Sequence, residues 1–246
     1  MKTIGVIPAR YKSTRLEGKP LVDIHGKPMI QHVYEAAQKA RTLDRVIVAA
    51  DDERVSQAVQ RFGGAFMMTN PGHSSGTDRV AEVAAAFDAA IIVNVQGDEP
   101  LMDPGMIDEC VAALQDNAEV GMSTVIKKIG EADYQNPAVV KAVRDIRGRA
   151  LYFSRSLIPF PQHRTKDFEV FEHIGLYAYT RDCLIRFSQL APTPLEQIEG
   201  LEQLRALENG IAIQTIETNC QEELVSVDTP EDLNRVRDIF AERTLS

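Results

Sequence analysis

The chain of 246 residues is poor in cysteine, with three, at Cys110, Cys183 and Cys220. Few, odd in number and far apart, they argue against a disulfide framework and against a cysteine-based zinc site, and they make a reducing cytoplasm the expected location. Histidine is scarce too: His25, His32, His73, His163 and His173 include no closely spaced ligand pair, which disfavours a zinc enzyme. No run approaches the roughly 18–20 uninterrupted apolar residues of a membrane helix, so no membrane insertion is expected. The opening MKTIGVIPAR reaches Arg10 too soon for a signal peptide. A net charge of −9 makes a general nucleic-acid binder the wrong class. No local arrangement matches nucleophilic Cys or Ser catalysis. Internal repeats, low-complexity tracts and linkers are also missing. The reading is therefore a single domain over residues 1–246, with a β-rich insert at about 125–190.

What is present is unevenly spread. Residues 1–30 hold Lys2, Arg10, Lys12, Arg15, Lys19 and Lys27 against Glu17 and Asp23, a net of +4, which leaves −13 on the rest. A cationic start on an acidic protein fits a local pocket for a small anion; a chance surface cluster is the competing reading.

Apolar runs at Thr3–Pro8, Val46–Ala50, Ala65–Met68 and Ala90–Val95 read as buried strands. Helical periodicity separates them. Pro28 opens a helix with Ile30, Val33, Tyr34 and Ala37 on one face. Asp51 and Asp52 cap a helix ending at Gly63-Gly64. Thr77 caps another, and Pro104–Asp116 is helical. This alternation predicts an α/β fold: a mixed, mostly parallel sheet with helices on both faces. From about residue 120 the pattern becomes β-rich, with strands at Val120–Ile126, Val139–Val143, Ala150–Phe153 and Phe171–Tyr179. A helix over Leu195–Asn209, a strand at Ile211–Ile216 and a final helix capped by Thr229 complete the chain.

Ligands of open α/β sheets sit beyond the carboxyl ends of the strands, and three segments fall there. Pro8–Leu21 carries Arg10, Arg15 and Lys19 on a loop long enough to wrap a polyphosphate. It is neither the GxxxxGK[ST] P-loop nor the GxGxxG fingerprint. Asn94–Leu101 presents Asp98 where a carboxylate can hold Mg²⁺ against substrate phosphates, and Gly97 allows close backbone approach. Ser226–Pro230 presents Asp228. Either acid could instead cap a turn or helix, Asp228 especially.

Pro8–Leu21, His73–Arg79 (HSSGTDR) and Asn94–Leu101 together resemble the sugar nucleotidyltransferases, and among them the CMP-Kdo synthetase family (Kdo, 3-deoxy-manno-octulosonate). Ser154–Pro159, His173–Tyr177, Leu201–Arg205 and Val227–Leu233 match as well, in order along nearly the whole chain. The stretch 127–150 matches loosely, and no function is carried onto it. The resemblance implies a Rossmann-like nucleotidyltransferase fold and transfer of CMP from CTP to the anomeric hydroxyl of Kdo, releasing pyrophosphate, with Mg²⁺, for lipopolysaccharide biosynthesis. It implies Ala9, Arg10, Arg15, Lys19, Ser75, Thr77, Arg79 and Gln96 around the nucleotide. Lys19, Arg10, Asp98 and Asp228 would be catalytic, the two acids as metal ligands. Arg155 would take the sugar carboxylate, and His173, Glu202 and Gln203 its hydroxyls. It further implies a homodimer, for which the β-rich insert could supply the contact. Another 2-keto sugar acid such as 8-amino-Kdo, a non-catalytic nucleotide-binding domain and a glycosyltransferase of related architecture stay open at this point.

Overall fold

The apolar runs that predict strands form them. This computed structural model describes residues 2–12, 16–163, 168–220 and 222–245. The chain passes through β1 (Thr3–Ala9), β2 (Asp23–Ile24), β3 (Lys27–Pro28), α1 (Met29–Ala37), β4 (Arg45–Ala50), α2 (Glu53–Arg61), β5 (Phe66–Met68), α3 (Gly76–Ala86), β6 (Ile91–Asn94) and α4 (Pro104–Gln115). It continues through β7 (Met122–Lys128), β8 (Lys141–Arg144), β9 (Ala150–Ser154), β10 (Phe171–Thr180), α5 (Arg181–Ser188), α6 (Pro194–Glu199), α7 (Gln203–Glu208), β11 (Ile213–Glu217) and α8 (Pro230–Leu245). The architecture is mixed α/β with a mostly parallel central sheet, as the alternation predicts. The elements divide into two compact units: Met1–Asp108 with Cys220–Ser246, and Glu109–Asn219.

In the first unit the strands run β6-β1-β4-β5, all parallel. Nearly every residue of β1, β4 and β6 is buried, whichever way its side chain points. Strands covered on both faces show this pattern, which is why they read as continuous apolar runs. The chain winds outward from β1 through β4 to β5 and then returns to the other side of β1 as β6. That reversal opens a crevice beyond the carboxyl ends of β1 and β6. A separate apolar cluster of Ile24, Met29, Leu101, Val225, Val227, Leu233 and Val236 binds α8 and the segment before it into the same unit.

The second unit is the β-rich one. β11 lies parallel to β7, and β10 antiparallel to β7, with a register shift between Ile174 and Tyr177. β8 pairs antiparallel with both β10 and β9.

Three local expectations are corrected. The cap of α3 is Ser75, not Thr77: Ser75 and Asp78 form a reciprocal capping box, and Thr77 is buried in the first turn. The helix expected over 195–209 is two, because Gly200 takes the left-handed conformation (φ 62°) that ends α6. The Pro8–Leu21 segment is not all loop, since it holds a 3₁₀ turn at Lys19–Leu21. No helix among the described residues is long and apolar enough to cross a membrane.

Candidate active site

A cleft of about 370 Å³ lies at the crevice of the first unit, lined by Ala9, Arg10, Lys12, Lys19, Gly76, Gln96, Gly97 and Asp98, with Pro8, Pro20 and Met29. The backbone explains why it can form. A Cβ on Gly97 would stand 2.7 Å from the carbonyl oxygen of Pro8, so the chain leaving β6 passes the end of β1 at a distance only glycine permits. Ala9 is buried at the strand end, and Arg10 emerges into solvent beside it.

Lys19 is the centre of the arrangement. Its Nζ donates to Asp98 Oδ2 at 2.7 Å and to Asp228 Oδ1 at 2.9 Å, and its side chain is 13% exposed. Burial alone would lower its pKa, but Asp98 and then Asp228 more than offset that and hold it above the ordinary lysine value. The two acids come together because Val227 N–H donates to the Asp98 carbonyl at 2.9 Å. The capping alternatives fall to neighbours. Asp232 accepts from the backbone N–H and hydroxyl of Thr229, and Thr229 Oγ1 accepts in return, so this pair caps α8. Asp103 accepts from Gly105 at the start of α4. Asp98 and Asp228 therefore point their carboxylates at Lys19.

Two hard oxygen donors converging on one cation are of the kind that can hold Mg²⁺ beside substrate phosphates. Among the described residues no group of three or more His, Cys, Asp or Glu side chains forms a fuller cage. The donor set thus fits Mg²⁺ and not a closed structural metal site.

Ser75 and Thr77 flank the lining residue Gly76, with the Ser75 hydroxyl committed to the capping box. Arg79 lies in the interior, fully buried. Its Nη1 donates to Thr69 Oγ1 at 2.5 Å and Nη2 lies 3.6 Å from Asp51, while Nε and Nη2 reach no hydrogen-bond acceptor among the described residues. Arg15 lies outside the described residues.

The residues expected around the sugar belong to the second unit. Arg155 is exposed, yet its guanidinium donates to the carbonyls of Glu199 (2.8 Å) and Pro137 (2.9 Å). His173 packs edge-on to Phe153 and lies 5.3 Å, centroid to centroid, from Tyr177. Burial pushes its pKa down to about 3, so the ring is neutral. Thr124 Oγ1 lies 3.1 Å from His173 Nε2 and donates to the Leu176 carbonyl at 2.8 Å. The hydroxyl proton is spent there, which assigns the imidazole proton to Nε2 and leaves Nδ1 as an acceptor. Burial, then nearby Glu202, raises the Tyr177 pKa, so these groups share one neighbourhood. Glu202 pairs with Arg205 at 3.3 Å. Gln203 is buried, with its Nε2 lacking any partner among the described residues, an unspent donor of the kind a hydroxyl would satisfy.

The roles of two residues escaped the sequence reading. Lys141 is fully buried in β8, its Nζ donating to the carbonyls of Asn136, Val139 and Arg155. Asp51 accepts the Tyr11 N–H at 2.9 Å. A lysine inside an apolar strand pattern is the one signal that could have found Lys141. Nothing in the sequence marks Asp51 apart from its neighbour Asp52.

A cationic, strand-end cleft faced by paired carboxylates is suited to moving a nucleotidyl group, and comparison with known proteins agrees on the class. The cytidylyltransferase family model matches residues 4–223, and the chain belongs to that family. It is 52% identical over 247 residues to the 3-deoxy-manno-octulosonate cytidylyltransferase of Geobacter metallireducens, covering 96% of each chain. It is 50% identical to the enzyme of the same name from Geobacter sulfurreducens, covering 96% of this chain and 98% of that one. The solved structure of CMP:2-keto-3-deoxy-manno-octonic acid synthetase complexed with CTP is 46% identical, with a TM-score of 0.94 over 99% of this chain and 100% of that one. Likeness of this extent places the chain with the 3-deoxy-manno-octulosonate cytidylyltransferases.

Proposed function

We propose that this chain transfers CMP from CTP to the anomeric hydroxyl of 3-deoxy-manno-octulosonate, giving CMP-Kdo and pyrophosphate for lipopolysaccharide biosynthesis. The observation that carries the reading is the Lys19 ammonium held by Asp98 and Asp228 at the mouth of the strand-end cleft. The near-full-length likeness to a synthetase solved with CTP supports it.

The chemistry asks for positioning and charge neutralisation more than for covalent help. The sugar's anomeric oxygen attacks the α-phosphorus of CTP in line with the departing pyrophosphate. Arg10, Arg15 and Lys19 hold the triphosphate; Lys19 moves its ammonium from the carboxylates toward the phosphate oxygens and neutralises charge that grows on the leaving group. Ala9 offers its backbone to the nucleotide. Ser75, Thr77, Arg79 and Gln96 serve the cytidine and ribose, Arg79 with Nε and Nη2 unspent among the described residues. Asp98 and Asp228 would hold Mg²⁺, which would supply further neutralisation at the phosphates and ease loss of the attacking hydroxyl's proton to water.

In the sugar site, Arg155 receives the carboxylate with the N–H groups its backbone partners leave over. His173 Nδ1 accepts from one sugar hydroxyl, and Gln203 Nε2 donates to another. Glu202 accepts from a further hydroxyl while paired with Arg205.

A homodimer is proposed too. Ile146, Leu151, Phe160 and Ile198 of the second unit are large apolar side chains left exposed, which favours a protein partner over solvent. The three scattered cysteines support a cytoplasmic location.

The test is a pyrophosphate-release assay with four nucleoside triphosphates against Kdo, 8-amino-Kdo and a third 2-keto sugar acid, with and without Mg²⁺. Release only with CTP, Kdo and Mg²⁺ is expected. Turnover with a relative of Kdo but not with Kdo itself would displace the proposed acceptor. A sedimentation experiment that returns a monomer at micromolar concentration removes the dimer.

A further inference from the structure

Asp51 stands just past β4, outside the cleft lining and apart from the acidic pair that faces Lys19. It is not a helix cap either: α2 is capped by Asp52, whose carboxylate accepts from Arg54 N–H. The Asp51 side chain, 12% exposed, is engaged from two sides. Oδ1 accepts the backbone N–H of Tyr11 at 2.9 Å, and Oδ2 lies 3.6 Å from Nη2 of buried Arg79.

Tyr11 is held elsewhere as well. Its carbonyl accepts the Gly18 N–H at 3.1 Å, which closes the loop upon itself. The Arg54 guanidinium covers its ring at 3.4 Å from the centroid, and Arg54 is itself paired to Asp52 at 2.7 Å. Gly18, with φ +65°, would bring a Cβ to 3.3 Å from the Tyr11 hydroxyl oxygen, so glycine lets the two segments meet. Gly18 also starts the 3₁₀ turn that carries Lys19, its carbonyl accepting from Leu21 N–H at 2.7 Å. A continuous set of contacts thus runs from Arg79 through Asp51, Tyr11 and Gly18 to Lys19, and Tyr11 directly follows Arg10.

We infer that Asp51 is a positioning residue for nucleotidyl transfer: by fixing the Tyr11 amide it sets where the two ends of the cationic loop, Arg10 and Lys19, stand over the cleft. The inference rests on the reading of Arg10 and Lys19 as the grip on the triphosphate. Small displacements of such groups are costly, because phosphoryl transfer depends on alignment within a fraction of an ångström.

Asp51→Ala removes the acceptor and the charge, whereas Asp51→Asn keeps an oxygen that can accept the Tyr11 N–H. Steady-state kinetics with CTP and Kdo, beside melting temperatures, separate the roles. Asp51→Ala is expected to lower kcat about tenfold or more with the KM for Kdo within about twofold, and Asp51→Asn to stay within about threefold of the parent. Parental kcat and CTP KM in Asp51→Ala overturns the inference. So does an Asp51→Asn protein as impaired as Asp51→Ala, since charge balance with Arg79 would then be the whole role. Should both variants fail to fold, Arg54→Ala at the surface uncovers the Tyr11 ring: a loss of about threefold or more in kcat at parental melting temperature supports the inference, and unchanged kcat overturns it. Lys19→Ala runs alongside. If it turns over like the parent, the reading of the loop fails and the inference with it. If it is inactive while Asp51→Ala is parental, the inference alone fails.

Discussion

Lys19 and Lys141 are both withdrawn from water, and their partners differ in kind. Lys19, in the first unit, faces two carboxylates, which keep its pKa raised against the pull of burial. Lys141, in the second, faces three backbone carbonyls at 2.6–2.8 Å, and burial, then Arg155, leaves its pKa lowered. Carbonyls in a folded backbone cannot follow a moving cation, so Lys141 is a fastener joining residues 136 and 139 to Arg155. Carboxylates on side chains can exchange one cation for another, which is what the proposed function asks of the Lys19 cluster. The lesson is that the partner, more than the burial, separates a working lysine from a structural one.

The largest effect expected from this contrast is on turnover. Asp98→Asn or Asp228→Asn should cut kcat about 10²–10³-fold and blunt its Mg²⁺ dependence, at a melting temperature close to the parent's. If either variant is unfolded by circular dichroism, the pair is structural and the contrast with Lys141 collapses. Next comes stability. Lys141→Met takes the ammonium from the part-buried carbonyls of Val139 and Arg155, while the Asn136 carbonyl keeps the Val139 N–H, and a carbonyl left without a donor costs about 1–3 kcal/mol. At about 2–4 °C per kcal/mol for a chain of this size, melting should fall by roughly 5 °C or more, with the KM for CTP little changed. An unshifted melting temperature would show that the ammonium holds nothing together.

The smallest effect is a pH dependence. His173 has a folded pKa of about 3 against an ordinary 6.5. As pH falls below about 6.5 the unfolded chain takes the proton first, so the stabilisation is complete above that value and is lost progressively toward 3. Melting temperature should therefore drop between pH 7.5 and pH 5, and drop less in His173→Gln. Equal slopes in both proteins would contradict a neutral, desolvated ring.

The first unit was the more legible of the two. Its strands are continuous apolar runs because both faces are covered, and Lys19, Asp98 and Asp228 stand out as charges next to such runs. In the second unit the signals are local and short. Helix α5 went unread, although Thr180 accepts from Cys183 N–H as its cap and Leu184 and Phe187 form its buried face. Lys141 was hidden because the pattern of β8 reads as strand with an outward lysine, and the carbonyls that accept from it, at residues 136, 139 and 155, lie outside any regular element. Asp51 was hidden for the opposite reason: Asp51-Asp52 carries two equivalent capping candidates, and only the fold shows which one turns toward Tyr11. Ser75 and Thr77 pose the same ambiguity at α3, settled by the capping box with Asp78.

The most direct measurement is the single-turnover rate of CMP transfer by Lys19→Ala at saturating CTP, Mg²⁺ and Kdo, with CTP affinity measured separately by titration. A rate lower by about 10²-fold or more, with CTP affinity changed by less than about tenfold, is the result expected of an ammonium that acts on charge developing in the transition state. A parental rate, or a loss confined to CTP affinity, would contradict it.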